Sequence, residues 1–154
     1  LAGCLGLFIF NFPTGKIFLG DGGAYMLGVF LASLIILLSN RTQIAPFSCL
    51  LLTLYPMFEL FFSVGRRKFF VGTRVMEADA QHFHSILYKT LKSKPYFSKY
   101  NCNQIAALFC MIPVIFLSSA AYFFRENNLN AALAVPIFAF FYILFYFALK
   151  RQKL

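Results

Sequence analysis

Two stretches of this sequence carry side chains that could do chemistry. The first is IFLGDGGAYMLG at residues 17–28, in which Asp21 stands directly before a long hydrophobic run. The second is a group of arginines and histidines further along the chain, namely Arg66, Arg67, Arg74, His82 and His84. Guanidinium groups suit bidentate recognition of phosphate, and imidazole can bind metal or donate to a phosphoryl oxygen. With the lone carboxylate, these residue types indicate a site that handles phosphates with a divalent cation.

Each of these residues also has a structural interpretation. Asp21 sits where the N-cap of the following helix belongs, although an ionisable group at a membrane edge is a functional candidate by default. The arginines would serve equally as charges that orient a membrane protein. The rings of His82 and His84 would face one way in an extended segment, whereas in a helix only one could reach a shared ligand. Residue types and spacing leave these alternatives open.

The elements that must position these residues are membrane helices. Of the 154 residues, 60% are hydrophobic and only 12% are charged, whereas a soluble domain is about half apolar and about a quarter charged. A spanning helix needs roughly 20 apolar residues. Four blocks reach that length, at residues 22–39, 44–64, 104–123 and 129–149.

Residues 1–10 resemble the end of a fifth span. Because the first residue is Leu, we expect the chain to be a fragment that begins inside a helix. The sequence therefore predicts an all-α, polytopic membrane helix bundle with four complete spans and one partial N-terminal span. We expect residues 1–154 to form a single membrane domain.

The net charge of +9 is explained by membrane orientation. If residues 11–21, 65–103 and 150–154 share one side, that side holds twelve Lys and Arg residues, and the other holds only Arg41 and Arg125. By the positive-inside rule the basic side is cytoplasmic. Residues 11–21 and 65–103 are then cytoplasmic active-site loops, the C-terminus is cytoplasmic, and no nucleic-acid partner is needed to explain the charge.

The longer loop contains a predicted amphipathic helix. In ADAQHFHSILYKTLK the apolar residues recur at helical spacing, at Phe83, Ile86, Leu87 and Leu91. This pattern is typical of a helix that lies on a membrane surface. A structural cover over the helix bundle explains it equally well.

Two motifs resemble those of a known enzyme family. NFPTGKIFLGDGGAYMLG is similar to the signature of the polyprenyl-phosphate N-acetylhexosamine-1-phosphate transferases, glycosyltransferase family 4, which is related to the muramyl-pentapeptide phosphotransferase. YPMFELFFSVGRRKFFVGTRVMEADAQHFHSILYKTL is similar to a later stretch with Pro-x-x-(Asp/Glu), Arg-Arg and Asp-x-x-His-x-His. The motifs follow the family's order and span residues 11–91.

The resemblance implies a reaction. The family transfers a sugar-1-phosphate from a UDP-sugar to a polyprenyl phosphate such as undecaprenyl phosphate and releases UMP. This step initiates cell-surface polysaccharides such as O-antigen at the bacterial inner membrane. The implied cofactor is Mg²⁺, with Mn²⁺ as the alternative ion. The sequence specifies neither the sugar nor the oligomeric state, and a homodimer is left open.

The resemblance also implies roles for individual residues. Asp21 matches the aspartate that holds the metal, Asn11 a polar residue of the nucleotide site, and Phe18 an aromatic beside the uracil. The histidine motif near the nucleotide diphosphate corresponds to His82 and His84. The adjoining basic loop contributes Arg66, Arg67 and Arg74.

The sequence departs from the family pattern in two places. Ser85 stands where the family often has a third histidine, and the paired aspartates of its Asp-Asp-x-x-Asp motif are absent from these residues. We therefore expect the chain to be the C-terminal half of a transferase and to be inactive alone. The alternative is a non-catalytic membrane protein, either a degenerate relative or an assembly subunit.

Overall fold

The described part of the chain is helical. The computed structural model describes residues 2–12, 15–68, 81–98 and 101–151, and within these ranges no residue belongs to a β-strand. The helices, in chain order, are α1 Ala2–Asn11, α2 Gly20–Arg41, α3 Pro46–Leu51, α4 Leu54–Arg66, α5 Phe83–Ser93, α6 Pro95–Ser98, α7 Cys102–Phe123 and α8 Asn128–Arg151. The predicted all-α class is confirmed.

Three helices are long and apolar enough to cross a membrane. They are α2 and α7, with 22 residues each, and α8, with 24 residues. At a rise of about 1.5 Å per residue, such helices match a hydrocarbon core of about 30 Å. They correspond to the spans predicted at residues 22–39, 104–123 and 129–149, and α1 corresponds to the short apolar block at residues 1–10.

One continuous helix was expected at residues 44–64, and that expectation is wrong, so a fourth complete span is not confirmed. The structure has two helices there, α3 and α4, which are separated at Leu52 and Thr53. In a continuous helix Pro56 could not donate to the carbonyl of Leu52 and would clash with it. With α4 starting at Leu54, Pro56 lies in the first turn, where no intrahelical donor is required. The Thr53 amide instead donates to the carbonyl of Leu50 at 3.1 Å.

The chain divides into two units, residues 1–43 and residues 44–154. The first unit contains α1 and α2, and α2 has no buried residue. The second unit contains α3 to α8 and a hydrophobic core to which α3, α4, α5, α7 and α8 contribute. The single domain expected over the whole chain, the cytoplasmic position of residues 65–103 and the orientation of the helices remain predictions.

Aromatic side chains form much of the core of the second unit. The rings of Phe58 and Tyr142 meet edge to face with centroids 5.1 Å apart, and those of Phe62 and Tyr146 do so at 4.8 Å. Such pairs contribute about 0.5–1.5 kcal/mol beyond the burial of their area. This cluster joins α4 to α8, and Phe83 at the start of α5 packs on Tyr142 with ring centroids 5.4 Å apart.

Helix α5 forms where the periodicity predicts it, and its apolar face packs against protein. Phe83, Ile86, Leu87 and Leu91 are all buried in the core of the second unit. A helix on a membrane surface would direct this face into lipid. The packing therefore favours a cover over the bundle, and the surface-helix interpretation is corrected.

Candidate active site

The candidate residues of the first unit lie around the connection between α1 and α2. Asn11 is the last residue of α1, and its carbonyl accepts a hydrogen bond from the amide of Gly15 at 2.6 Å. Gly15 has a φ of +63°, which only glycine adopts without strain. Phe18 follows with 96% of its surface exposed. An aromatic ring in this state is available to stack on a ligand.

Asp21 lies inside the first turn of α2 and does not cap it. The helix begins at Gly20, the N-cap position is occupied by Leu19, and there is no side-chain capping hydrogen bond. The capping interpretation is therefore not supported. The Asp21 side chain is exposed, and the N-terminal end of a helix favours negative charge at such a position.

Local geometry explains why glycine occupies two positions next to Asp21. Gly20 has a φ of +70°, in the left-handed region that other residues avoid. A Cβ atom on Gly23 would lie 2.6 Å from Cδ1 of Leu19, so glycine leaves room for that side chain. A Cβ atom on Gly22 would meet nothing within 4 Å. The space around Asp21 is therefore open on this side.

In the second unit, His82 and His84 both contact the carboxylate of Glu59. Oε1 of Glu59 lies 3.5 Å from Nδ1 of His84 and 3.8 Å from Nδ1 of His82. The two imidazole rings are nearly parallel, at 9°, with centroids 5.6 Å apart. His82 precedes α5 with extended backbone, at φ −59° and ψ 151°. His84 lies in the first turn of α5, so the pair is neither fully extended nor fully helical, and both rings still lie near one carboxylate.

Further contacts fix the chain just before α5. Oγ of Ser63 lies 3.2 Å from Nδ1 of His82. Nη1 of Arg66 donates to Oε1 of Gln81 at 3.1 Å, and the Tyr146 hydroxyl donates to the carbonyl of Gln81 at 3.1 Å. These bonds connect the entry to α5 with α4 on one side and α8 on the other.

The three predicted phosphate-binding arginines differ in their surroundings. Arg66 is 4% exposed and holds Gln81, so in this structure it has a structural role. Arg67 is half-buried, and its Nε donates to the carbonyl of Ser63 at 3.4 Å. Arg74 lies outside the described residues. The phosphate-binding role of all three remains a prediction.

A cleft of about 590 Å³ adjoins the histidine pair. Its walls come from α4, α5 and α7, namely Tyr55, Glu59, His84, Ser85, Tyr88, Lys89, Asn103, Ala106, Ala107 and Cys110. The Glu59 carboxylate raises the pKa of His84 above its ordinary value, and partial burial of the ring opposes this effect. An imidazole held toward its charged form and the Lys89 ammonium make the cleft suitable for an anion.

Glu59 contacts both candidate histidines, although the sequence suggested no role for it beyond its place in the Pro-x-x-(Asp/Glu) motif. It lies within the apolar block at residues 44–64 and is three positions after Pro56 in the stretch YPMFEL. The signal was present, because an acid inside a hydrophobic segment is a functional candidate by default. Its partners were not recognisable, since they come from 23 and 25 positions further on, His82 and His84.

A family model described as Glycosyl transferase family 4 matches residues 1–39. The match supports membership of this family. No curated protein and no solved structure matches the chain. The 39 matched residues include Asn11, Phe18 and Asp21 and end before the cluster around Glu59. The three helices that could cross a membrane are a separate observation, which rests on length and composition.

The described residues fit a divalent cation at Asp21 only in part. They contain no group of three or more His, Cys, Asp or Glu side chains that could hold a metal ion. Mg²⁺, however, is usually bound through one or two carboxylates together with water and substrate phosphates. An exposed carboxylate such as Asp21 can supply one of those ligands.

Proposed function

We propose that this chain carries out part or all of the transfer of an N-acetylhexosamine-1-phosphate from a UDP-sugar to a polyprenyl phosphate. The acceptor phosphate oxygen attacks the phosphorus that bears the sugar, the bond from that phosphorus to the UMP oxygen breaks, and UMP leaves. The observation that carries this proposal is the family 4 match over residues 1–39, which contain Asp21. The anion-suited cleft beside His84 supports it independently.

The side chains have separate tasks in this scheme. Phosphoryl transfer depends on positioning and on stabilisation of charge rather than on covalent chemistry by the protein. Mg²⁺, when bound, would neutralise charge on the phosphates, and Asp21 would be one of its ligands. In this proposal Asn11 and Phe18 bind the nucleotide, and His82, His84, Arg67 and Arg74 bind the diphosphate. Arg66 holds Gln81 at the entry to α5.

An apolar cleft next to the polar one supports a lipid acceptor. It has a volume of about 450 Å³ and shares Tyr55 with the cleft beside His84. Its walls are almost entirely apolar, with Phe109, Phe116, Phe141 and Phe145 among them. A polar cleft that adjoins an apolar one suits a ligand with a phosphate head and a long hydrocarbon chain. We place the reaction at the bacterial inner membrane, with the site on the cytoplasmic side.

The test uses membranes from bacteria that express the protein from its full gene. UDP-N-acetylglucosamine and other UDP-sugars are supplied with undecaprenyl phosphate and Mg²⁺, and UMP release is measured. We expect release that requires both the lipid and the metal. A protein that inserts into membranes but releases no UMP with any UDP-sugar would instead be the non-catalytic relative.

A further inference from the structure

The carboxylate of Glu59 is largely covered by protein. Only 15% of the side chain is exposed, and Oε1 makes no well-aligned hydrogen bond within the described residues. A covered carboxylate is costly unless charged or polar partners compensate it. The partners that the structure provides for this oxygen are the two imidazole rings of His82 and His84.

One carboxylate oxygen lies near both rings. The Nδ1 atoms of His84 and His82 approach it at 3.5 and 3.8 Å, and the rings lie almost parallel. The Ser63 hydroxyl lies 3.2 Å from Nδ1 of His82. In each ring, the nitrogen engaged by the protein is therefore Nδ1, and the nitrogen that can meet a ligand is Nε2.

The two rings have different surroundings. His84 lines the 590 Å³ cleft and has 61% of its side chain exposed, whereas His82 has 31% exposed and is not part of the cleft wall. Lys89, one helical turn after Ser85 on α5, also lines the cleft. An anion that enters the cleft would therefore meet His84 first.

From this geometry we infer that Glu59 is a positioning residue, which holds Nδ1 of His84 so that Nε2 is presented to the diphosphate of the nucleotide sugar. The inference rests on the proposed function and adds a residue to its site. Glu59 acts through the histidine and does not touch the substrate. This arrangement follows the logic by which a carboxylate fixes the orientation and the tautomer of a histidine in other enzymes.

The charges around the cleft agree with this assignment. The titratable groups that line it are Glu59 and Tyr55 from α4, His84, Tyr88 and Lys89 from α5, and Cys110 from α7. Glu59 is the carboxylate among them, and its Oε1 lies 3.5 Å from Nδ1 of His84. A protonated ring that turned Nδ1–H toward Glu59 would also carry an N–H at Nε2, which can donate to a phosphate oxygen.

The experiment exploits the presence of only two histidines in the chain. The protein is labelled with ¹⁵N-histidine, placed in detergent micelles and titrated with pH and then with UDP in the presence of Mg²⁺. His82→Gln and His84→Gln assign the signals. Glu59→Gln removes the charge and Glu59→Asp keeps it. Glu126→Gln is the matched control, because Glu126 is exposed and pairs with Arg125 in the turn after α7.

We expect three results. The wild-type His84 carries its proton on Nδ1 when neutral and titrates above an ordinary histidine. Glu59→Gln lowers its titration midpoint and allows the proton to move to Nε2, Glu59→Asp retains part of the effect, and Glu126→Gln changes neither property. UDP shifts the His84 signal, and its affinity falls about tenfold in Glu59→Gln, since a charge-assisted hydrogen bond is lost.

The two ways to fail are distinguishable. The positioning role is overturned if Glu59→Gln keeps its helicity and His84 keeps the titration midpoint and tautomer of the wild type. This result does not depend on whether the protein is a transferase. If Glu59→Gln does not fold, an unchanged midpoint in Glu59→Asp together with an Nε2–H tautomer in the wild type overturns it equally. If Glu59→Gln changes the titration midpoint of His84 but UDP shifts neither histidine signal, the proposed ligand of the cleft is overturned.

Discussion

The two regions that carry candidate chemistry are built in different ways. Around Asp21 the side chains of Asn11, Phe18 and Asp21 are all exposed, and the backbone turns on glycines with positive φ. Around Glu59 the histidines are held by side chains from another helix, and the chain before α5 is connected to both α4 and α8. The first region presents groups to a ligand, whereas the second is organised before any ligand arrives.

This difference determines how each region responds to mutation. Removal of an exposed group such as Asp21 takes away a ligand contact and leaves the fold intact. Removal of a member of the second region also leaves its partners unsatisfied, which costs free energy of folding. Substitutions in the first region should therefore lower activity with little effect on stability, whereas substitutions in the second region should lower both.

The largest expected effect is that of Asp21→Asn on the reaction. Loss of a metal-holding carboxylate should reduce UMP release on the order of a hundredfold or more, because the metal contributes several kcal/mol to stabilisation of charge. The ¹⁵N-histidine signals should stay at their wild-type values, and the thermal unfolding midpoint should fall only slightly, since the charge near the start of α2 is lost. UMP release unaffected by the substitution would refute the metal assignment, and Glu126→Gln controls for the loss of an exposed acid.

The next effect concerns Arg66 and Arg67, which are adjacent at the C-terminal end of α4. Arg66→Ala removes a buried guanidinium that donates to Gln81, and we expect a loss of about 2 kcal/mol of stability. Arg67→Ala removes a half-buried group and should cost less. Thermal unfolding in detergent micelles measures both. If Arg66→Ala left unfolding unchanged but weakened UDP binding, the phosphate role predicted from the sequence would replace the structural one.

Local patterns account for the part of the structure that could be predicted. Helix α5 follows from apolar residues at helical spacing, and the three long apolar helices follow from blocks of about 20 residues. Asp21 could be named as a candidate because its motif lies within a few consecutive residues, and its role stays a prediction. Each of these signals is contained in one short stretch of chain.

The parts that were missed depend on packing between distant stretches. The break before Leu54 reflects the cost of Pro56 within a helix, and Thr53 turns the chain at that point. The burial of Arg66 and the carboxylate shared by His82 and His84 exist only when α4 meets the start of α5. No periodicity in the sequence encodes these contacts.

A smaller effect separates two neighbouring glycines in the first region. Gly20→Ala places a Cβ atom on a residue with a φ of +70° and should destabilise the first turn of α2 by about 1 kcal/mol. Gly22→Ala adds a methyl group to open space and should stabilise that turn by about 0.5 kcal/mol. Hydrogen exchange of the α2 amides measures both. Equal exchange rates in the two variants would show that the turn does not depend on the left-handed glycine.

The smallest effect is a pH dependence that belongs to the second region alone. Glu59 raises the pKa of His84 above its ordinary value of 6.5. The folded state therefore binds the proton more tightly than the unfolded state, so the stabilisation is complete below pH 6.5 and disappears as the pH rises through the raised value. Because 61% of the His84 side chain is exposed, solvent screens the pair and the change is small. Unfolding midpoints measured across this window should decline in the wild type and stay level in His84→Gln. A decline that persists in His84→Gln would assign the pH dependence to another group and leave the second region without its expected electrostatic signature.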